Sequence, residues 1–422
     1  MTRTLATAAF LFLLTLCPAS FAAQRKAAGG DWPQWRGAQR DGVSAEKGLL
    51  LSWPEKGPPL LWQVKGLGSG YASVAVAGDK IFTLGHRAGD TYLIARARAG
   101  GKELWAVKVG RGGNAQSTPT VAGNLAFGLA TNGDLVCVDI TKGKALWRKN
   151  LPKDFGGQMM SGWGYSESPL VDGDKLVCTP GGKSATLVAL NKKTGAVIWR
   201  GVVPEGDGAG YASIVVSEAC GVRQYIQLLG RGIVSIAAKD GKFLWRYNKI
   251  ANGTANIPTP IVKGNFVFCS TGYGAGSALL KLVKDGKKIK PEEVYYLKGN
   301  QFQNHHGGMV RVGDYVYAGH GHNQGFPICV EMKTGKIAWN QGRVPGGGSA
   351  AVVYADGNMY FRYDSGLMAL IEASPEGYKL KGTFSIPHKG GAPSWSHPVV
   401  AGGKLHLREQ DWLMCYDIST QK

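Results

Sequence analysis

The stretch Lys333-Thr334-Gly335-Lys336-Ile337-Ala338-Trp339 constrains the fold more than any other, because close copies of it return along the chain. Lys193-Thr194-Gly195-Ala196-Val197-Ile198-Trp199 is the nearest copy, and looser ones end at Trp245, Trp147 and Trp105. Each opens as a tight polar turn, with glycine where the backbone needs positive φ, and runs through apolar residues to a tryptophan. Tryptophans 62, 105, 147, 199 and 245 follow at intervals of 43, 42, 52 and 46 residues. Trp339 lies 94 residues beyond Trp245, or two units, with Tyr295 and Tyr296 near the missing mark. A period of about 40–50 residues built of short strands is the signature of a β-propeller.

A second signature runs in register with the first: an apolar run, a Gly-Asp or Gly-Asn turn, and another apolar run. It stands at Val76-Ala77-Gly78-Asp79, Val121-Ala122-Gly123-Asn124, Val171-Asp172-Gly173-Asp174 and Val262-Lys263-Gly264-Asn265. It returns at Val312-Gly313-Asp314, Ala355-Asp356-Gly357-Asn358 and Val400-Ala401-Gly402-Gly403, and in degenerate form at Ser217-Glu218-Ala219-Cys220. Such patterns make β-hairpins, eight in all. The last unit stops before its Trp strand, while the first Trp strand, Leu60-Leu61-Trp62-Gln63-Val64, has no hairpin before it. Pairing the two ends removes both free sheet edges. The chain is therefore expected to be an all-β, eight-bladed β-propeller of four-stranded antiparallel blades, its last blade closed by the N-terminal strand. The expected organisation is a signal peptide over 1–22, a lead-in clasp over 23–45 and the propeller over 46–422.

Glycine is 63 of 422 residues, as many tight turns require, and 44% hydrophobic residues supply a core. Arg3, the apolar run from Ala8 to Leu16 and Ser20-Phe21-Ala22 form a secretory signal with a small-x-small cleavage site. The run is too short to span a bilayer. A lipid tether at Cys17 would want a small residue before it, and Leu16 stands there, so a soluble periplasmic or secreted form is favoured. Of the other six cysteines, Cys137, Cys329 and Cys415 share one repeat position and Cys178 and Cys269 another; equivalent positions lie far apart around a ring, so buried thiols are favoured over a disulfide framework. The net charge of +20 is scattered over lysines, many of them in the repeat turns. It fits a solvated basic rim, or contact with a polyanion or a cell-envelope protein; export argues against nucleic acid. Gly29-Gly30-Asp31-Trp32-Pro33-Gln34-Trp35-Arg36-Gly37 has no strand pattern and is expected to pack across the ring as a cap without chemistry.

In a propeller the loop entering each blade's first strand faces the axis. Aligning the hairpin glycines brings together Tyr71, Gln116, Glu167, Tyr211, Asn256, His305, His306, Trp395 and His397, with Trp163 just upstream of Glu167. Polar and aromatic groups converging at a concave mouth make the default binding site. Tyr71, Gln116, Tyr211 and His397 are its candidate ligand contacts. A turn at Gly313-Asp314 would pair Val312 with Tyr315 and set His305 opposite His322, with His320 two residues away on the same side of the strand. Such imidazoles suit zinc, copper or nickel, or are simply hydrogen-bonded loop histidines. Gly272-Tyr273-Gly274-Ala275-Gly276 follows a hairpin strand and opens no helix, so it is no phosphate loop. No Ser/His/Asp order or dinucleotide fingerprint is present.

The repeated Thr-Gly-x-x-x-Trp motif and the eight units resemble the pyrroloquinoline quinone (PQQ) repeat family over nearly all of the chain after the signal. That family holds quinoprotein alcohol dehydrogenases, which carry PQQ and calcium on the ring axis, and the outer-membrane assembly lipoprotein BamB, a scaffold without cofactor. For the dehydrogenases the resemblance implies Glu167 and Asn256 as calcium ligands and Trp163 or Trp395 stacked on the quinone. The position of the catalytic Asp carries His305 and His306 instead, and the adjacent-cysteine disulfide of those enzymes is absent. A binding scaffold that takes a small molecule, a glycan or an extended peptide at its axial rim is therefore the leading expectation. A PQQ-dependent dehydrogenase acting on an alcohol or a sugar is the second.

Overall fold

The computed structural model describes residues 30–342 and 345–420. The expected signal segment and Cys17 lie outside the described residues. Apolar residues alternating about each glycine turn produce the hairpins: Ala77 pairs with Lys80 around Gly78, which takes φ +57°. Eight blades follow, each with four antiparallel strands; seven are meanders of consecutive strands, and the eighth takes its outer strand from the other end of the chain. Blade one begins at Ala75–Ala77, blade two at Thr120–Ala122, blade three at Leu170–Asp172 and blade four at Val215–Ser217. Blades five to eight begin at Ile261–Lys263, Met309–Val312, Ala350–Ala355 and Val399–Val400. In the degenerate turn of blade four a short 3-10 segment, Ala219–Gly221, replaces the glycine hairpin.

Leu60–Val64 pairs antiparallel with Trp412–Asp417, so strands from the two ends of the chain share blade eight. The core consists of apolar side chains wedged between successive blades. The motif tryptophans set that wedge. Trp105, Trp147, Trp199 and Trp339 donate their indole N–H to the carbonyls of Ile140, Lys192, Ala238 and Ser374, at the last turn of the following blade. Gly143, Gly195 and Gly241 lie under Trp105, Trp147 and Trp199, where a Cβ would stand within 3 Å of the ring. Tyr295 fills the missing place, with Gly335 beneath it and its hydroxyl bonded to Met332 O at 2.7 Å. Trp245 departs from the column: Gly286, in the last turn of blade five, has open space above it, and the indole donates to Gln224 Oε1 of its own blade at 2.8 Å.

Near the axis, hydroxyls stitch neighbouring blades. Ser73 N–H donates to Thr118 Oγ1, Thr118 N–H to Ser168 Oγ, and Ser168 N–H to Ser213 Oγ. The six cysteines are free thiols.

The lead-in does more than the expected cap. Trp32 pairs with Val76 and Pro33 O accepts from Val121 N–H, both beside first-hairpin turns. Val43–Ser44 then joins blade seven as a parallel fifth strand. Between these points, Arg36 donates to Gly307 O at 2.9 Å and also to Met309 O, while Arg40 donates to Ser168 O at 2.7 Å. The segment thus crosses the channel from the face opposite the axial mouth and floors it.

Candidate ligand-binding site

Above that floor lies a cavity of about 290 Å³. Of the residues expected there, Tyr71, Gln116, Trp163, Tyr211, His305, His306, Trp395 and His397 line it. Glu167 and Asn256 do not, which corrects their expected place at the shared cavity. Glu167 is 2% exposed; its carboxylate accepts from Thr179 N–H and from Gln227 Nε2 at 3.2 Å, and burial pushes its pKa up to about 7. The Asn256 oxygen accepts from Asn252 N–H and Nδ2, both at 3.0 Å, and its amide donates to Leu229 O. Both side chains turn into their blades and brace them.

Three further lining residues escaped the sequence reading. Trp35, from the lead-in, packs on His397 with ring centroids 4.4 Å apart and donates to Thr259 Oγ1. Tyr273 and Asn323 stand in the turns between the second and third strands of blades five and six, each at φ +56°. Left-handed backbone at a non-glycine residue clusters at functional sites. The glycines around Tyr273 were the available signal.

The aromatic groups form a nearly continuous wall. Tyr71 meets Trp395 at 4.6 Å, Trp395 meets His306 at 4.7 Å, and His306 stacks on His305 at 4.1 Å. His305 in turn meets His322 at 4.3 Å and Tyr273 at 5.3 Å. Val312 does pair with Tyr315, and His305 faces His322 as expected. His320 is elsewhere: the strand ends there, Gly321 takes φ +86°, and the ring stacks on Phe302 while accepting from Gln303 N–H. Among the described residues no three His, Cys, Asp or Glu side chains gather as a metal site.

On the opposite wall the Trp163 loop is held in place. Gln116 donates to Trp163 O at 2.9 Å and accepts from Ser166 Oγ, and the Tyr211 hydroxyl meets Ser161 Oγ at 2.5 Å. The Trp163 ring itself is 54% exposed and free to cover a ligand.

Electrostatically the cavity is close to neutral. Burial is the main cause that lowers His305 to about 4 and His397 to about 3, with His306 well below its usual value. Asp364, 3.7 Å from His306 Nδ1, is raised to about 6 by burial. No lysine or arginine lines the cavity. Ser349 Oγ lies 2.7 Å from His305 Nδ1 and 3.4 Å from Asn323 Oδ1. On the cavity side His305 Nε2 stands 3.3 Å from the Tyr273 hydroxyl.

These features bear on the expected cofactor. PQQ is a planar tricarboxylate held with a divalent cation, and calcium wants several oxygen ligands. The cavity offers flat aromatic faces but no cationic side chain for the carboxylates, and the two expected oxygen ligands are committed to hydrogen bonds behind its wall. The residues present do not fit the group.

A family model described as outer membrane protein assembly factor BamB matches residues 89–341. The tetrathionate hydrolase of Acidithiobacillus ferrooxidans is 23% identical over 341 residues, 76% of this chain and 55% of that protein. The chain thus spans little more than half of that relative's length. BamB from Moraxella catarrhalis superposes with a TM-score of 0.61 at 14% identity, covering 85% of this chain and 97% of that one. A quinohemoprotein alcohol dehydrogenase from Comamonas testosteroni gives 0.63 at 13% identity, covering 93% and 81%. At these identities the solved structures speak to the fold alone.

Proposed function

The chain belongs to the family described as outer membrane protein assembly factor BamB, and on that footing we propose that it is an exported binding scaffold whose axial mouth takes a neutral sugar ring. The observation that carries this reading is the lining itself: three tryptophans, three tyrosines and uncharged imidazoles, with no lysine or arginine. Aromatic faces stack on the apolar C–H faces of a pyranose, and a few fixed polar atoms then orient its hydroxyls. His305 Nε2 and the Tyr273 hydroxyl, 3.3 Å apart, are two such atoms. A neutral ring leaves no buried charge unpaired, whereas an anion would meet nothing to balance it. An extended peptide would need a free row of backbone partners, and the mouth offers side chains instead.

The export signal, with a periplasmic or secreted destination, rests on the sequence of residues 1–22. Among the described residues no helix is long and apolar enough to cross a membrane. Envelope proteins remain partners in keeping with the family. Oxidation through PQQ is the weaker reading, because its expected ligands Glu167 and Asn256 are turned away.

The test is a titration of tryptophan fluorescence with neutral oligosaccharides, and in parallel with PQQ plus calcium. Saturable quenching by a sugar, weakened about tenfold (roughly 1.4 kcal/mol) in Trp163→Ala, is the expected result. Tight PQQ binding with dye reduction by alcohols, and no sugar response, would overturn the proposal.

A further inference from the structure

The seam between blades five and six holds a second cavity, of about 470 Å³, away from the axis. Its lining comes from the first-hairpin turns of both blades and the last turn of blade six. In a meander these turns lie at the opposite end of the blade from the loops that form the axial mouth. Leu279 and Met332, both buried, and the half-buried Phe266 supply its apolar walls. Lys281 and Lys333, both exposed, stand at its rim; Lys281 lies across the sheet from Glu292, and Lys333 is close enough to Asp314 to help hold its carboxyl below the usual range. Lys263, also at the rim, is already paired with Asp314 at 2.7 Å.

At the seams that follow blades one, two, three and six, an indole reaches a carbonyl just after the third strand of the next blade. At this seam the phenol of Tyr295 reaches the equivalent carbonyl, Met332 O. Leu279, which pairs with Tyr295 across the sheet, is left facing the cleft. The hairpin of blade five beside it, Gly276–Asp285 and Lys288–Leu297, overhangs its neighbouring strand and carries exposed Lys284, Lys287, Lys288 and Lys290.

We infer that this cleft binds a long-chain fatty-acid anion, its acyl chain against Phe266, Leu279 and Met332 and its carboxylate between Lys281 and Lys333. Apolar walls give a small polar anion nothing to displace water from, and a rim of three lysines against one aspartate favours an anionic head over a neutral one. The two features together select an amphiphile with negative charge at one end.

The experiment is calorimetric titration of the full chain with dodecanoate below its micellar concentration. Acetate, a neutral polyoxyethylene dodecyl ether and phosphatidylglycerol vesicles serve as the comparison ligands. Saturable one-to-one binding of dodecanoate is expected, about tenfold weaker in the Lys281→Glu/Lys333→Glu double variant. Phe266→Glu, which sets a carboxylate on the apolar wall, is expected to abolish binding while the tryptophan response to a neutral sugar at the axial mouth persists. Full affinity in Phe266→Glu would overturn the inference. So would equal affinity for the neutral ether, binding of acetate alone, or binding to the vesicles without binding of dodecanoate. The surface lysine variants keep the test meaningful if the Phe266 substitution disturbs folding.

Discussion

His406 shows how a single ring can govern acid sensitivity. It lies fully buried in blade eight with neither nitrogen hydrogen-bonded within the protein, and burial, assisted by Arg98 and Lys404, lowers its pKa to about 3. The unfolded chain takes up a proton below its ordinary value near 6.5, and the folded one does not. This ring's share of stability is therefore present above pH 6.5 and lost as pH falls toward 3. His406→Leu is expected to flatten that loss by about 2 kcal/mol between pH 7.5 and pH 5, read by urea denaturation at the two values. A fall in stability on acidification as steep as that of the parent chain would contradict it. Glu167, raised to about 7, works in the opposite sense: its burial costs stability as pH rises through the folded value. Because it faces Thr179 and Gln227 rather than the cavity, Glu167→Gln is expected to leave sugar affinity within about twofold in the fluorescence titration. The sequence placed Glu167 and Asn256 in the right loops but not on the right side of them. Residues in a strand alternate between faces, so direction can be read there; in a loop no such period exists, and hydrogen-bond partners distant in sequence decide which way the side chain turns.

The glycine turn and the indole that covers it form the element repeated around most of the ring, and where a blade has both kinds of glycine they have different duties. Gly195 takes φ +72° and a Cβ there would sit 2.9 Å from Trp147 Cδ2. Gly173, in the first hairpin of the same blade, takes φ +60° with open space around it. Gly173→Ala therefore meets only the left-handed backbone cost, about 1 kcal/mol, while Gly195→Ala must also displace an indole and is expected to cost about 2–3 kcal/mol. Thermal melts of the two variants should rank in that order, and equal shifts would mean that the indole does not lock the blades. This element was legible in the sequence because period, turn chemistry and apolar alternation all pointed to one architecture. The gap in the tryptophan count was visible too, but not which of Tyr295 and Tyr296 fills it, since that depends on which ring reaches the next blade. The turns of Tyr273 and Asn323 carry no repeated motif, so the glycines beside Tyr273 were the one mark the sequence offered.

At the scale of the whole molecule, closure and site depend on the same N-terminal segment. Residues 30–64 floor the channel through Trp35, Arg36 and Arg40, add a strand to blade seven, and complete blade eight through Leu60–Val64. The C-terminal strand Trp412–Asp417 has its hydrogen-bonding edge covered only by that segment, and an uncovered edge is a template for association between chains. A chain that begins at residue 66 is expected to associate during purification, and a peptide of residues 30–65 supplied in trans should restore the monomer by pairing with Trp412–Asp417. Light scattering reads the first effect, and recovery of the sugar response reads the second. A second peptide, of residues 46–65, separates the two duties. It should restore the monomer but not the sugar response, because it brings the closing strand without Trp35 and Arg36. If it restored both, the lead-in would be a spectator at the mouth; if neither peptide restored the monomer, closure would rest on contacts other than the shared blade.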